Sequence, residues 1–137
     1  KKSKKQYNVY VLIGDGECNE GSIWEASMAA PHFKLDNLIA IIDKNNFQQT
    51  GSTKDIMSND NIDKKWSSFG WDVKKVDGHS IQELNDALLS IKDKPLLIMA
   101  NTVKGKGFSF SEDNNYWHHA ILTKDRYDKA LKELDNE

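Results

Sequence analysis

The sequence predicts an α/β fold, a mainly parallel sheet flanked by helices. Three observations carry that prediction. The runs Val9–Ile13, Leu38–Ile42 and Leu96–Ala100 are each five apolar residues long, which suits strands covered on both faces. Helix signals lie between strand signals, and a strand–helix–strand crossover is parallel and right-handed. The 137 residues are 38% hydrophobic and 29% charged, enough for one domain with a core and unlike a disordered segment.

Lys1 to Lys5 form a basic cluster, read as a solvated helix end or leader. Val9–Ile13 is the first buried strand, bounded by Gly14-Asp15-Gly16. Ser22-Ile23-Trp24-Glu25 fits a capping box with Ser22 as N-cap. The helix it opens should stop near Pro31, because proline disfavours helix at the residue before it. Leu38–Ile42 is the second strand, and Asp43-Lys44-Asn45-Asn46 follows it.

Residues 47–63 are polar and turn-rich and predict a long loop. A short helix over Ile62 to Phe69, closed by Gly70, leads to a more exposed strand over Trp71 to Val76. Asp77-Gly78 turns the chain into a second capping box, Ser80-Ile81-Gln82-Glu83. Ile81, Leu84, Leu88 and Ile91 then mark one helical face. Leu96–Ala100 is the fourth strand. A loop from Lys104 through His119 precedes a last helix after Thr123, with Tyr127, Leu131 and Leu134 expected on its inner face. His118 and His119 are adjacent, so their side chains are expected to diverge.

Composition narrows the function classes. With 19 Lys+Arg against 21 Asp+Glu the net charge is −2, so nothing calls for a nucleic-acid partner. Runs of five apolar residues are far short of a membrane span. A single cysteine, Cys18, excludes an internal disulfide and fits a reducing, cytoplasmic setting. With no base or resolving cysteine evident near it, Cys18 reads as structural. His32 and His79 read as surface and structural groups, and the four tryptophans as core or interface.

The chemistry lies in Asp15 and Asn45. Each follows a parallel strand, at the sheet edge where open α/β folds bind ligands. They are 30 positions apart, about one crossover. A carboxylate with a neutral amide oxygen suits zinc poorly. It suits Mg²⁺, which takes one or two protein oxygens and completes its shell with water and substrate phosphates. The spacing therefore suggests a metal-bridged phosphate or diphosphate. Two ordinary turns at strand ends would give the same residues.

Gly14-Asp15-Gly16-Glu17-Cys18-Asn19-Glu20-Gly21 followed by Asp43-Lys44-Asn45-Asn46 resembles the signature of thiamine-diphosphate enzymes. Trp24-Glu25-Ala26, Lys34 to Ile39, Asp77-Gly78-His79, Lys94-Pro95, Asn101 to Gly107 and Trp117-His118 are similar to the transketolase branch, above all the N-terminal subunit of split transketolases. The resemblance implies that Asp15, the Asn45 side chain and the Phe47 carbonyl ligate Mg²⁺ (or Ca²⁺). It implies that the Gly16 N–H and Asn45 meet the diphosphate and that His118 touches the diphosphate and the sugar. Glu20 would face a partner subunit, helping proton relay to its activating glutamate. Gln49 would lie against the thiazolium ring, and Lys104 to Gly107 would turn beside the cofactor.

The implied reaction is transfer of a two-carbon ketol unit from a ketose to an aldose, both sugar phosphates or related sugars, in an oligomer. A 2-oxo-acid dehydrogenase E1 component, a deoxyxylulose-phosphate synthase and a non-catalytic cofactor-binding or assembly module are the alternatives. Three departures stand out: His119 and Asn46 where glycine is usual, and Gln49-Thr50 where an apolar–acidic pair is usual. Further histidines and a glycine-rich segment precede the first strand in the family. Residues 1–137 are therefore expected to be a single, partial diphosphate-binding domain. It would need a pyrimidine-binding domain or C-terminal transketolase subunit, and would be inactive alone.

Overall fold

The computed structural model describes residues 7–90 and 93–135. The basic cluster at Lys1 to Lys5 and the position Ile91 lie outside the described residues. Four strands form one parallel sheet: β1 (Val9–Gly14), β2 (Leu38–Lys44), β5 (Asp72–Asp77) and β6 (Leu96–Asn101), in the order β1-β2-β6-β5. The register pairs Gly14 with Asp43, and Asp43 with Ala100. All four strands thus end along one edge of the sheet.

Helices α1 (Gly21–His32) and α3 (Ile62–Phe69) cover one face of the sheet around Ile13, Ala40, Ile42, Trp66, Trp71, Leu97 and Met99. Helix α4 (Ile81–Leu89) covers the other through Leu84, Ala87 and Leu88 against Ile39, Val76, Leu96 and Ile98. Pro31 does not break α1. Proline lacks the N–H that would bond the Ser27 carbonyl four residues back, and the buried Trp71 indole N–H donates to that carbonyl at 2.7 Å instead. The helix therefore runs one residue past Pro31.

Several expectations need correction. Strand β1 is not buried: among the described residues it is a sheet edge, and Tyr10 and Leu12 are 55% and 70% exposed. The apolar run is real, but its pattern cannot say whether a neighbour covers it. Ser22 is not an N-cap. A 3₁₀ turn at Glu17–Asn19 feeds the helix early, so extended Glu20 takes the cap position without a side-chain bond. Ser80 does cap α4, accepting from the Glu83 N–H at 3.2 Å, whereas Ile81 is 80% exposed.

The loop expected over 47–63 holds a small antiparallel hairpin, β3 (Phe47–Gln48) with β4 (Gly51–Ser52), and a short helix α2 (Thr53–Met57). Helix α5 (Lys124–Leu134) buries only Ala130 among its described residues, and Tyr127, Leu131 and Leu134 are exposed. Among the described residues no helix is long and apolar enough to cross a membrane.

Candidate functional site

The βαβ unit brings two strand tips side by side. Asp15 directly follows β1 and Asn45 directly follows β2, and the strands pair in register up to Gly14 and Asp43. The Asp15 N–H continues the ladder by donating to the Asp43 carbonyl at 3.2 Å. Asn46 then takes a left-handed backbone, φ 65°. Asparagine tolerates that conformation, and here it stands at a position where the family resemblance expects glycine.

Asp15 is only 4% exposed. Its Oδ2 accepts the Asn46 backbone N–H at 2.6 Å. Its Oδ1 is buried with no hydrogen-bond partner among the described residues. Burial raises the carboxyl pKa above the usual carboxylate range; the Asn46 and Gly16 N–H groups pull it back in part, and nearby Asp43 adds to the rise. A buried carboxylate oxygen without a partner is unfavourable unless a cation or donor meets it.

Asn45 Oδ1 accepts the Phe47 N–H at 3.0 Å in an Asx turn, and an amide oxygen retains a second lone pair. Gly16 lies so close to the hairpin that a Cβ there would sit 2.7 Å from the Gln48 Cβ, so only glycine fits without displacing β3. The Asn19 carboxamide donates to Gln48 Oε1 at 3.1 Å and secures the same approach.

These tips open on a cleft of about 600 Å³. It brings together every site residue singled out from the sequence: Asp15, Gly16, Glu20, Asn45, Phe47, Gln49 and His118. Lys104, expected only in a turn beside the cofactor, proves to be a cleft group as well. Its ammonium lies 3.4 Å from His118 Nδ1. Slight burial first, then Lys104, then His119 hold the His118 pKa below the ordinary imidazole value. The His118 and His119 rings do not diverge; their centroids are 4.9 Å apart, edge to face.

Loop 104–118 is held by bonds at its entry and within itself. His79 Nε2 accepts the Val103 N–H at 2.8 Å, which gives that histidine its structural role. Gly105, φ 71°, allows a turn in which a Cβ would meet the Ser111 carbonyl. The Trp117 indole donates to the Phe110 carbonyl at 2.8 Å. Cys18 is fully buried, and burial pushes its pKa up to about 12, a structural thiol.

The donor set defines what the cleft can hold. Among the described residues no group of three His, Cys, Asp or Glu side chains is arranged for a metal, so a soft-ligand zinc site is not built here. One orphaned carboxylate oxygen beside an amide oxygen fits a hard divalent cation that draws its remaining ligands from water and an anion. Lys104 and Gly16 line the same cleft, and an ammonium and a backbone N–H are groups that suit an anion. The residues therefore fit a metal–diphosphate.

Comparison with known proteins identifies the family and the fold. The profile of the family described as "Transketolase, thiamine diphosphate binding domain" matches residues 2–136. The chain is 48% identical over 139 residues to one subunit of the apulose-4-phosphate transketolase of Actinobacillus succinogenes, covering all of this chain and 50% of that protein. It is 41% identical to human transketolase over 96% of this chain and 21% of that one. The crystal structure of Campylobacter jejuni transketolase superposes with a TM-score of 0.87 at 34% identity, over 95% of this chain and 21% of that one. The chain thus spans about half the length of the apulose-4-phosphate transketolase subunits it matches.

Proposed function

Because the chain belongs to the family of transketolase thiamine-diphosphate-binding domains, we propose that its cleft anchors the diphosphate end of thiamine diphosphate through Mg²⁺ or Ca²⁺. The observation that carries this reading is the buried Asp15 Oδ1, which has no partner among the described residues and lies just past the tip of the strand paired with the one that leads to Asn45. In this reading Asp15, Asn45 Oδ1 and the Phe47 carbonyl hold the cation. The Gly16 N–H, Asn45, Lys104 and His118 meet the diphosphate, and His118 also meets the sugar. Gln49 flanks the thiazolium ring, and Glu20 lies on the side offered to a second subunit. When bound, the cofactor supplies the electron sink that stabilises a carbanion next to a former carbonyl.

This chain's own residues bind and orient. The cation site fixes one end of the cofactor, so the donors across the cleft keep constant positions relative to it. In its neutral form His118 can donate from one ring nitrogen and accept at the other. The activity proposed for the assembled protein is transfer of a two-carbon ketol unit from a ketose to an aldose. Two relatives are named as single subunits of a transketolase; the partner proposed here is correspondingly a subunit carrying the pyrimidine-binding domain. Residues 1–137 are then one part of the diphosphate-binding domain.

The test is donor choice by the full-length protein assembled with that subunit. Transfer from a ketose phosphate to an aldose phosphate is expected. Decarboxylation of a 2-oxo acid with no ketose turnover would contradict the reading.

A further inference from the structure

The hairpin β3–β4 forms one wall of the cleft, and its tip, Gln49-Thr50, overhangs it. Tight two-residue hairpin loops favour turns with positive φ at one or both loop residues, because these match the twist of the strands. Neither Gln49 nor Thr50 has a positive φ. The strands are two residues each, too short to hold the loop by themselves. Something outside the hairpin has to brace it.

Asn115 does so. With its carboxamide oriented to satisfy both contacts, its nitrogen donates to the Gln48 carbonyl at 2.9 Å and its oxygen accepts the Gly51 N–H at 3.0 Å. Gln48 and Gly51 are the register pair that closes the loop, so one side chain spans the base of the tip. Asn115 also opens the 3₁₀ turn Asn115–His118. In such a turn residues i and i+3 eclipse one another, so Asn115 and His118 share a face. Asn114 caps this turn by accepting the Tyr116 N–H at 3.0 Å, and Trp117 ties its far side to Phe110. The brace on the hairpin is therefore also the mount of His118.

We propose that Asn115 is a positioning residue that couples the Gln49-Thr50 tip to His118 and so fixes the two walls of the cleft relative to each other. This inference rests on the proposed function only in what the cleft binds; the coupling itself can be read without ligand. Asn115→Ala and Asn115→Asp are compared with the unaltered full chain by amide exchange at Gly51, by ring resonances of His118, and by affinity for thiamine diphosphate with Mg²⁺.

In Asn115→Ala, Gly51 exchange should rise about tenfold and the His118 resonances should shift. Cofactor affinity should fall about five- to tenfold. Asn115→Asp keeps an acceptor for Gly51 but sets a carboxylate against the Gln48 carbonyl, so it should retain part of the Gly51 protection and still move His118. Unchanged Gly51 exchange in Asn115→Ala, unmoved His118 resonances in either variant, or a wild-type Asn115→Asp would overturn the coupling. Exchange and resonances decide it with or without cofactor, so a chain that bound no cofactor would count against the functional reading alone.

Discussion

The Asp15 carboxylate reaches from the tip of β1 to the Asn46 backbone N–H just past β2, 2.6 Å away, while its second oxygen is buried with no partner among the described residues. One oxygen thus ties two strands together, and the other is the one the proposed function gives to a cation. This division gives the site a stability cost that binding relieves.

Asp15→Asn should stabilise the ligand-free chain at neutral pH by about 1–2 kcal/mol, because it removes an incompletely satisfied buried charge and can keep the bond to Asn46. The pH dependence follows from the raised pKa, whose main cause is burial. Folding favours the protonated acid, so this contribution is fully present below the ordinary carboxylate pKa and is lost as pH rises through the higher folded value. Ligand-free unmutated chain should lose stability over that rise, and Asp15→Asn should flatten it. Denaturant melts across pH measure both; identical profiles would refute the assignment.

Cys18 is 0% exposed, and burial pushes its thiol pKa up to about 12. It should resist a disulfide reagent at pH 8 in the native state and react only after denaturant is added. Native-state labelling on mixing would show that the thiol is accessible.

Trp71→Phe should destabilise the fold by about 1–3 kcal/mol, because the Ser27 carbonyl freed by Pro31 then has no donor in the core. Chemical denaturation measures the loss. A loss no larger than surface substitutions give, within about 0.5 kcal/mol, would mean the indole bond is not what lets α1 pass Pro31.

Gly16→Ala places a Cβ 2.7 Å from the Gln48 Cβ, on a stem that cannot swing away. It should cost about 1–3 kcal/mol through displacement of the hairpin, and cofactor affinity should fall with it. Thermal melts and a binding titration on the same samples check the two together.

The strand and helix order was legible because hydrophobic period and glycine boundaries are local signals, as in Leu38–Ile42 and the Gly70 stop after α3. Asp15 and Asn45 were legible for the same reason, since a parallel crossover forces its two strand tips together. What covers an apolar surface was not. Tyr10, Leu12, Tyr127 and Leu131 follow strand or helix patterns yet stand exposed, because periodicity names an apolar face and is silent about its neighbour. Ser22-Ile23-Trp24-Glu25 has the spacing of a cap, but the preceding 3₁₀ turn decided where α1 starts. Lys104 and Asn115 come from a loop with no period, and only folding brings Lys104 to the cleft and Asn115 to the hairpin.

The most direct measurement is calorimetric titration of the full chain with thiamine diphosphate, with and without Mg²⁺ or Ca²⁺, alongside Asp15→Ala. Cation-dependent binding in the unaltered chain, weakened about 100-fold or more in the variant, is the predicted result. Binding that ignores the cation, or that survives Asp15→Ala at unchanged affinity, would contradict the account.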